Sequence, residues 1–230
     1  MSVSKFWKTP QDERDFFNPK GVVYEKLNIN TLESAIDCIS YNLSTYEPMN
    51  LALKTIPGEN LKKLRKILNN SYNYSYVARN IVTNKVVGVL VGNNLDFFNS
   101  NDFSNELPDK FSPISAARSE LENNFLSRKK YDSVDKQSIF YIFALCVNKI
   151  YRDTGVSLRL IRLLEKKIIE SRFFSVFALS SVKSVQKSLV NTHRFKEIDR
   201  IWYQNFRYAG NQPFYNIENT DYYASYYRKL

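Results

Sequence analysis

The 230-residue sequence predicts an α/β protein: a single mixed β-sheet flanked by helices. Three observations carry that expectation. Ile139 to Val147 is a nine-residue apolar run, hydrophobic on both faces, as befits a central strand covered from both sides. Strand-like segments on either side of it alternate with amphipathic helical ones, the pattern that places helices over a sheet. Upstream, two short β-rich segments joined by a polar turn read as an antiparallel hairpin.

Taken in order, residues 1–20 are polar with scattered aromatics and read as an N-terminal arm, leaving 21–230 as one domain. Val22 to Leu27 is a first strand. Thr31, with Glu33 and Ser34 in the first turn, starts a helix, and Ala35, Ile36, Ile39 and Leu43 recur at helical spacing to carry it over 31–44. Pro48 interrupts, because the residue before a proline is held extended. Leu51 to Ile56 reads as a short helical turn, and Leu61, Leu64, Ile67 and Leu68 define a helix ending near Asn69. Ser75 to Ile81 and Val86 to Val91 form the hairpin, turned at VTNK around Asn84. Residues 93–112 are polar and Asn-rich, a connection long enough to read as a functional loop or lid. Pro113 opens a helix with Ile114, Ala117, Leu121 and Phe125 on one face, and 128–136 is loop. After the central strand, Ser157 to Ser171 is a helix with Leu160, Ile161, Leu164 and Ile168 as its buried stripe. Phe173 to Leu179 is a strand and Lys183 to Asn191 a helix. Glu197 to Phe206 and Asp221 to Arg228 are closing strands joined through AGNQP turn chemistry.

Composition excludes several classes. Hydrophobic residues at 43% and charged residues at 24% are ordinary globular usage. A membrane-spanning helix needs about 20 apolar residues, well beyond the longest run, so no membrane association is expected. The N-terminus lacks the apolar stretch of a secretory signal. With only Cys38 and Cys146, a reducing, cytoplasmic setting is expected. No Cys/His spacing marks a metal site. A net charge of +10 is spread over separate clusters with no nucleic-acid signature, so no specific nucleic-acid partner is expected; the same field would attract an anionic small molecule.

The strongest local signal is the loop between the central strand and its helix, Arg152-Asp153-Thr154-Gly155-Val156-Ser157. A strand feeding a helix through such a loop aims unpaired backbone N–H groups and a helix dipole at one point, where an anion, and phosphate above all, binds. Gly155 permits the positive φ or close approach a cradle needs. Arg159 and Arg162 follow one and two turns on, within reach of further phosphates. An ordinary helix N-cap is the plainer reading. The Walker loop and the dinucleotide fingerprint are both absent.

ALCVNKIYRDTGVSLRLIRLLE resembles the acetyl-CoA motif of the GNAT acetyltransferase superfamily, a strand followed by [Q/R]-x-x-G-x-[G/A]. Arg152, Gly155 and Ser157 stand at its defined positions, Ser157 where Gly or Ala is usual. Across 22–230 the chain is similar to insect-type arylalkylamine N-acetyltransferases. TYEPMN resembles their D-E-P-[LM]-N segment, NKVVGVLVGN their hairpin strand, FALSSVKS their S-S-x-x-S segment, and FRYAGNQPFYNI their aromatic-x-x-x-G-x-x-x-F ending. His193-Arg194-Phe195 departs from their Leu-Gly-Phe and lies about two residues further from Ser184.

The resemblance implies acetyl transfer from acetyl-CoA to a primary amine, held by Leu145, Cys146, Val147 and the loop Arg152, Asp153, Thr154, Gly155, Val156 and Ser157. An alkylammonium with pKa near 10 must lose a proton before it attacks, and Glu47 carries over as the general base. Its plainer reading is a helix N-cap. A backbone N–H of Cys146 or Val147, where the central strand splays from its neighbour, would hold the oxyanion. Ser180 and Ser184 align with the serines near base and sulfur, with Ser181 replacing Ser180 if the register shifts by one; serines at such junctions also serve as caps. An acetyl-cysteine route through Cys146 is disfavoured for a small residue in an apolar strand. His193, the only histidine, excludes a catalytic histidine pair; a lone His near a helix C-terminus is usually a favourable cap charge, and it is assigned no role. Tyr46 and Tyr141 are placed to line the acceptor pocket, as are Phe97 and Phe98. The expected partners are acetyl-CoA and a small amine, the chain being a monomer or weak dimer. Polyamine, amino-sugar or protein-lysine acceptors, or a CoA-binding module without catalysis, are the alternatives.

Overall fold

The computed structural model describes residue 19 and residues 21–100, 108–128 and 135–230. The expected arm, but for Pro19, lies outside the described residues, as do residues 101–107 of the expected 93–112 connection. Seven strands make one mixed sheet, ordered β1-β2-β3-β4-β5-β7-β6. They are β1 (Val22–Lys26), β2 (Tyr76–Asn80), β3 (Val86–Asn94), β4 (Ile139–Val147), β5 (Ser175–Ser180), β6 (Lys196–Trp202) and β7 (Tyr222–Lys229). Among the described residues only β4 and β5 pair in parallel, and a parallel pair needs a long crossover. Helix α6 (Val156–Glu170) supplies it.

The hairpin turn falls where its asparagine puts it: Asn84 has φ 57°, while the Asn80 side chain accepts from the Val82 and Thr83 amides. Helix α1 (Leu32–Tyr46) packs one face of the sheet together with α3 (Leu61–Asn69). Ile36, Ile39, Leu64 and Ile67 there meet Val77, Val89 and Phe177. On the other face the predicted stripe of α6, Leu160, Ile161, Leu164 and Ile168, meets Ala78, Leu90, Phe140 and Val176. A third cluster gathers α2 (Pro48–Ala52), α5 (Ser112–Leu126) and the end of β7 around Met49, Leu121, Phe214 and Tyr223. Helices α4 (Leu95–Ser100) and α7 (Lys183–Asn191) complete the chain.

Two expected elements are corrected. The short turn of helix falls at Pro48–Ala52 rather than 51–56, because proline is at home in a first helical turn, where its missing N–H is no loss. The polar stretch from residue 93 is not loop at its start: Asn93 and Asn94 continue β3 opposite Tyr141 and Phe140, and α4 follows. Their side chains offset their poor strand propensity, Asn93 Nδ2 donating to the Asn70 carbonyl and Asn94 Oδ1 accepting from the Phe97 amide.

The feature that shapes the site is an irregularity in β4. Val91 pairs with Ala144 but Gly92 with Ile142, leaving Phe143 as an extra residue. A bulge reverses the alternation beyond it, so Tyr141, Ala144 and Cys146 all join the α1 side of the core. Beyond Ile142 opposite Ala178, β4 keeps β3 but loses β5. The central strands part there.

Candidate active site

Where β4 and β5 separate, a cavity of 650 Å³ opens between them, its wall running from the Arg152 loop past Glu47 to Tyr141 and Tyr223. All three catalytic candidates and Tyr46 line it, as do Leu145, Cys146, Val147, Arg152, Asp153 and Ser157.

Glu47 owes its position to a broken helix. It is at once the C-cap of α1, giving its N–H to the Leu43 carbonyl, and the N-cap of α2, with extended backbone at φ −84°, ψ 121°. Its Oε2 accepts from the Asn50 amide at 2.7 Å and from Asn50 Nδ2 at 2.6 Å. Its Oε1 accepts from the Ser181 hydroxyl. The capping and functional readings of Glu47 are therefore compatible, one oxygen for each. Tyr203, fully buried, stands beside the pair: burial first and then the Glu47 charge push its phenol pKa up, with Ser181 opposing.

The serines divide. It is Ser181 that reaches Glu47, while the Ser180 hydroxyl closes a local turn, accepting from the Val182 amide at 3.3 Å. Ser184 lies exposed in the first turn of α7 on the cavity wall. Strand alternation sends neighbouring residues to opposite sides, so a one-residue difference in where β5 ends decides which serine faces the carboxylate.

The loop before α6 has the form its glycine forecasts. Gly155 is left-handed at φ 84°, and Asp153 has φ 61°. The first helical bond of α6 runs from the Arg159 amide to the Gly155 carbonyl. The amides of Val156, Ser157 and Leu158 precede it and have no partner within the helix. Gly88 lets this helix start close to the sheet, for a Cβ there would lie 2.8 Å from Val156 Cγ1. Thr154 Oγ1 donates to the Tyr151 carbonyl at 2.7 Å and stiffens the turn. Arg152 lies 3.9 Å over the Tyr46 ring, with Nε to the Val147 carbonyl and Nη2 to Asn42 Oδ1. Asn42 in turn donates to Asn148. Arg159 turns to the Tyr24 ring instead.

The Cys146 thiol is buried and its pKa pushed up to about 12 by burial, against the pull of Arg152. It is protonated at neutral pH and a poor nucleophile. His193 is corrected: rather than a charged cap it is buried just past α7, its pKa lowered to about 4 by burial and by Arg228 and Arg162.

Sequence reasoning missed Arg118. It projects from α5 into the cavity wall, Nε bonded to Glu122 Oε1 at 2.7 Å, with its guanidinium 5.1 Å over the Tyr141 ring. It also missed Tyr223, whose pKa is raised well above the usual phenol value, by burial first and then by Tyr141, against Arg118. An i,i+4 Arg–Glu pair looks like a solvated helix face, so only the tertiary setting marks it. Among the described residues no group of three or more His, Cys, Asp or Glu could hold a metal ion, and no helix is long and apolar enough to cross a membrane.

The split sheet, with a glycine-bearing loop heading its crossover helix, has the fold of the GNAT acetyltransferases. The sequence matches no family model and no curated protein. The likeness is instead to solved structures. Arylalkylamine N-acetyltransferase 2 from Aedes aegypti is similar at TM-score 0.74 and 20% identity, over 90% of this chain and 98% of that one. A mosquito arylalkylamine N-acetyltransferase-like 5b gives 0.73 and 14%, over 91% and 100%. The Drosophila melanogaster polyamine N-acetyltransferase, an enzyme that forms N-acetylagmatine, gives 0.72 and 12%, over 91% and 100%.

Proposed function

We propose that this chain is an acetyl-CoA-dependent N-acetyltransferase acting on the primary amine of a small molecule, with an arylalkylamine as the first acceptor to try. The observation that carries the reading is the left-handed Gly155 loop, which presents three helix-initial amides at the mouth of a cavity running between two parted strands to a carboxylate. Those amides suit a diphosphate, and the open edge of β4 from Phe143 to Val147 suits an extended arm. Acetyl-CoA would supply an activated acetyl thioester. The residues of the chain supply the rest. Glu47 takes the proton from the acceptor ammonium, helped by Ser181, which holds Oε1 of that carboxylate. The amide of Val147, which faces the side where β4 has parted from β5, meets negative charge on the carbonyl oxygen. Ser184, on the cavity wall, would give the leaving thiolate its hydrogen bond. The similar structures include arylalkylamine and polyamine N-acetyltransferases, which supports an amine acceptor without choosing one.

The test begins with binding. CoA should raise the melting temperature of the wild type but not of Gly155→Trp, whose indole would cover the amides. Acetyl-CoA should then release thiol when tyramine, tryptamine, serotonin or spermidine is added. Stabilisation surviving in Gly155→Trp overturns the loop assignment. CoA binding with no thiol release from any amine points to a binding module instead.

A further inference from the structure

We propose that Arg118 is the acceptor-selecting residue of the cavity, and that the amine it admits carries a carboxylate at its far end rather than a second ammonium. This rests on the transferase reading above.

Arg118 sits on α5 with 15% of its side-chain surface exposed, framed by the rings of Phe98, Tyr141 and Phe143 at 5.6, 5.1 and 5.4 Å. A guanidinium has five N–H donors in a rigid fork. Among the described residues, one of the five is bonded, Nε to Glu122. Among the described residues the two Nη groups have no protein acceptor, and neither is a buried atom lacking a partner, so both open onto the cavity that Arg118 lines and Glu122 does not. A carboxylate, accepting two parallel bonds from a fork, is the group whose shape and charge answer them.

Glu47 stands at the break between α1 and α2 and Arg118 on α5, and both line the cavity. The cavity thus offers a carboxylate to the reacting amine and, from a different element of its wall, a cation. A diamine or guanidino-amine would bring its second positive charge against Arg118, and like charges brought together in a desolvated site are strongly rejected. Glu122 accepts from Nε and does not line the cavity, so the Nη face of the guanidinium is what a ligand meets.

The experiment uses the full-length wild type and thiol release from acetyl-CoA. A ladder of ω-amino carboxylates is compared with α,ω-diamines of the same length, and 4-(aminomethyl)benzoate with benzylamine. The best carboxylate should exceed its matched diamine at least tenfold in kcat/KM. Arg118→Met should collapse that ratio by at least tenfold, and Arg118→Lys should keep part of it, since the charge survives without the fork. CoA-induced stabilisation of the variants reports that they fold. A wild type that releases thiol with tryptamine or a diamine but shows no gain from the carboxylate overturns the inference and leaves the transferase reading standing. A carboxylate preference that persists undiminished in a folded Arg118→Met also overturns it. Thiol release with no amine at all removes the transferase reading itself. Should neither variant fold, the wild-type ratio decides alone.

Discussion

Replacing Glu47 by Gln and by Ala separates the cap seen in the structure from the general-base role proposed above, one for each oxygen of the carboxylate. Oε2 caps α2 through the Asn50 amide and side chain, at 2.7 and 2.6 Å, while Oε1 faces Ser181. Gln keeps one acceptor oxygen for the cap, and its NH2 can give a hydrogen bond to the Ser181 hydroxyl. Charge-assisted bonds become neutral ones, so stability should fall by only about 1 kcal/mol. Ala removes the cap entirely and should cost about 1–2 kcal/mol. Neither can take a proton. Loss of a general base is worth roughly 10²–10⁴ in rate, or about 3–5 kcal/mol of barrier at 1.36 kcal/mol per decade. The two variants should therefore share a deep loss of kcat while differing in urea midpoint. The pH–rate profile is the sharper readout: without the base, kcat/KM should climb with pH toward the pKa of the free amine, about 10, where the wild type levels off. A Glu47→Gln enzyme with an unchanged profile and a kcat within about threefold of wild type would refute the base assignment. Equal destabilisation by Gln and Ala would refute the cap.

Three further outcomes follow from the same geometry. His193, with pKa lowered to about 4, stays neutral in the fold while the unfolded chain takes up a proton below about 6.5, so stability should drop between about pH 6.5 and 4, by at most about 3 kcal/mol. The difference in urea-unfolding free energy between wild type and His193→Gln, measured across that window, should show it; parallel curves would contradict it. Cys146→Ala should keep kcat within a few-fold, since a thiol with pKa about 12 carries no acetyl group; loss of activity in a folded variant would revive the covalent route. Gly88→Ala sets a methyl 2.8 Å from Val156 Cγ1, forcing the start of α6 outward, which should cost about 1–3 kcal/mol and weaken CoA binding in a thermal-shift titration.

Much of this protein follows from local rules that any reader of the chain can apply. Period-3.6 stripes mark α1, α3, α5 and α6, and the glycine of the RDTGVS loop announces a positive φ because no β-carbon stands in the way. Pro48 announces the break at which Glu47 is held extended. The site proper is decided elsewhere. Whether Ser180 or Ser181 meets Glu47 depends on where β5 stops relative to a residue 134 positions earlier. The parting of β4 from β5 arises from one unpaired residue, Phe143, whose side chain gives no hint of a bulge, since pairing register is a property of two strands and of neither alone. Arg118 reads as half of a surface helix pair until the fold buries it among three aromatic rings. Sequence fixes what each segment can be through near-neighbour sterics and hydrophobic spacing; long-range packing chooses which of those side chains share a cavity.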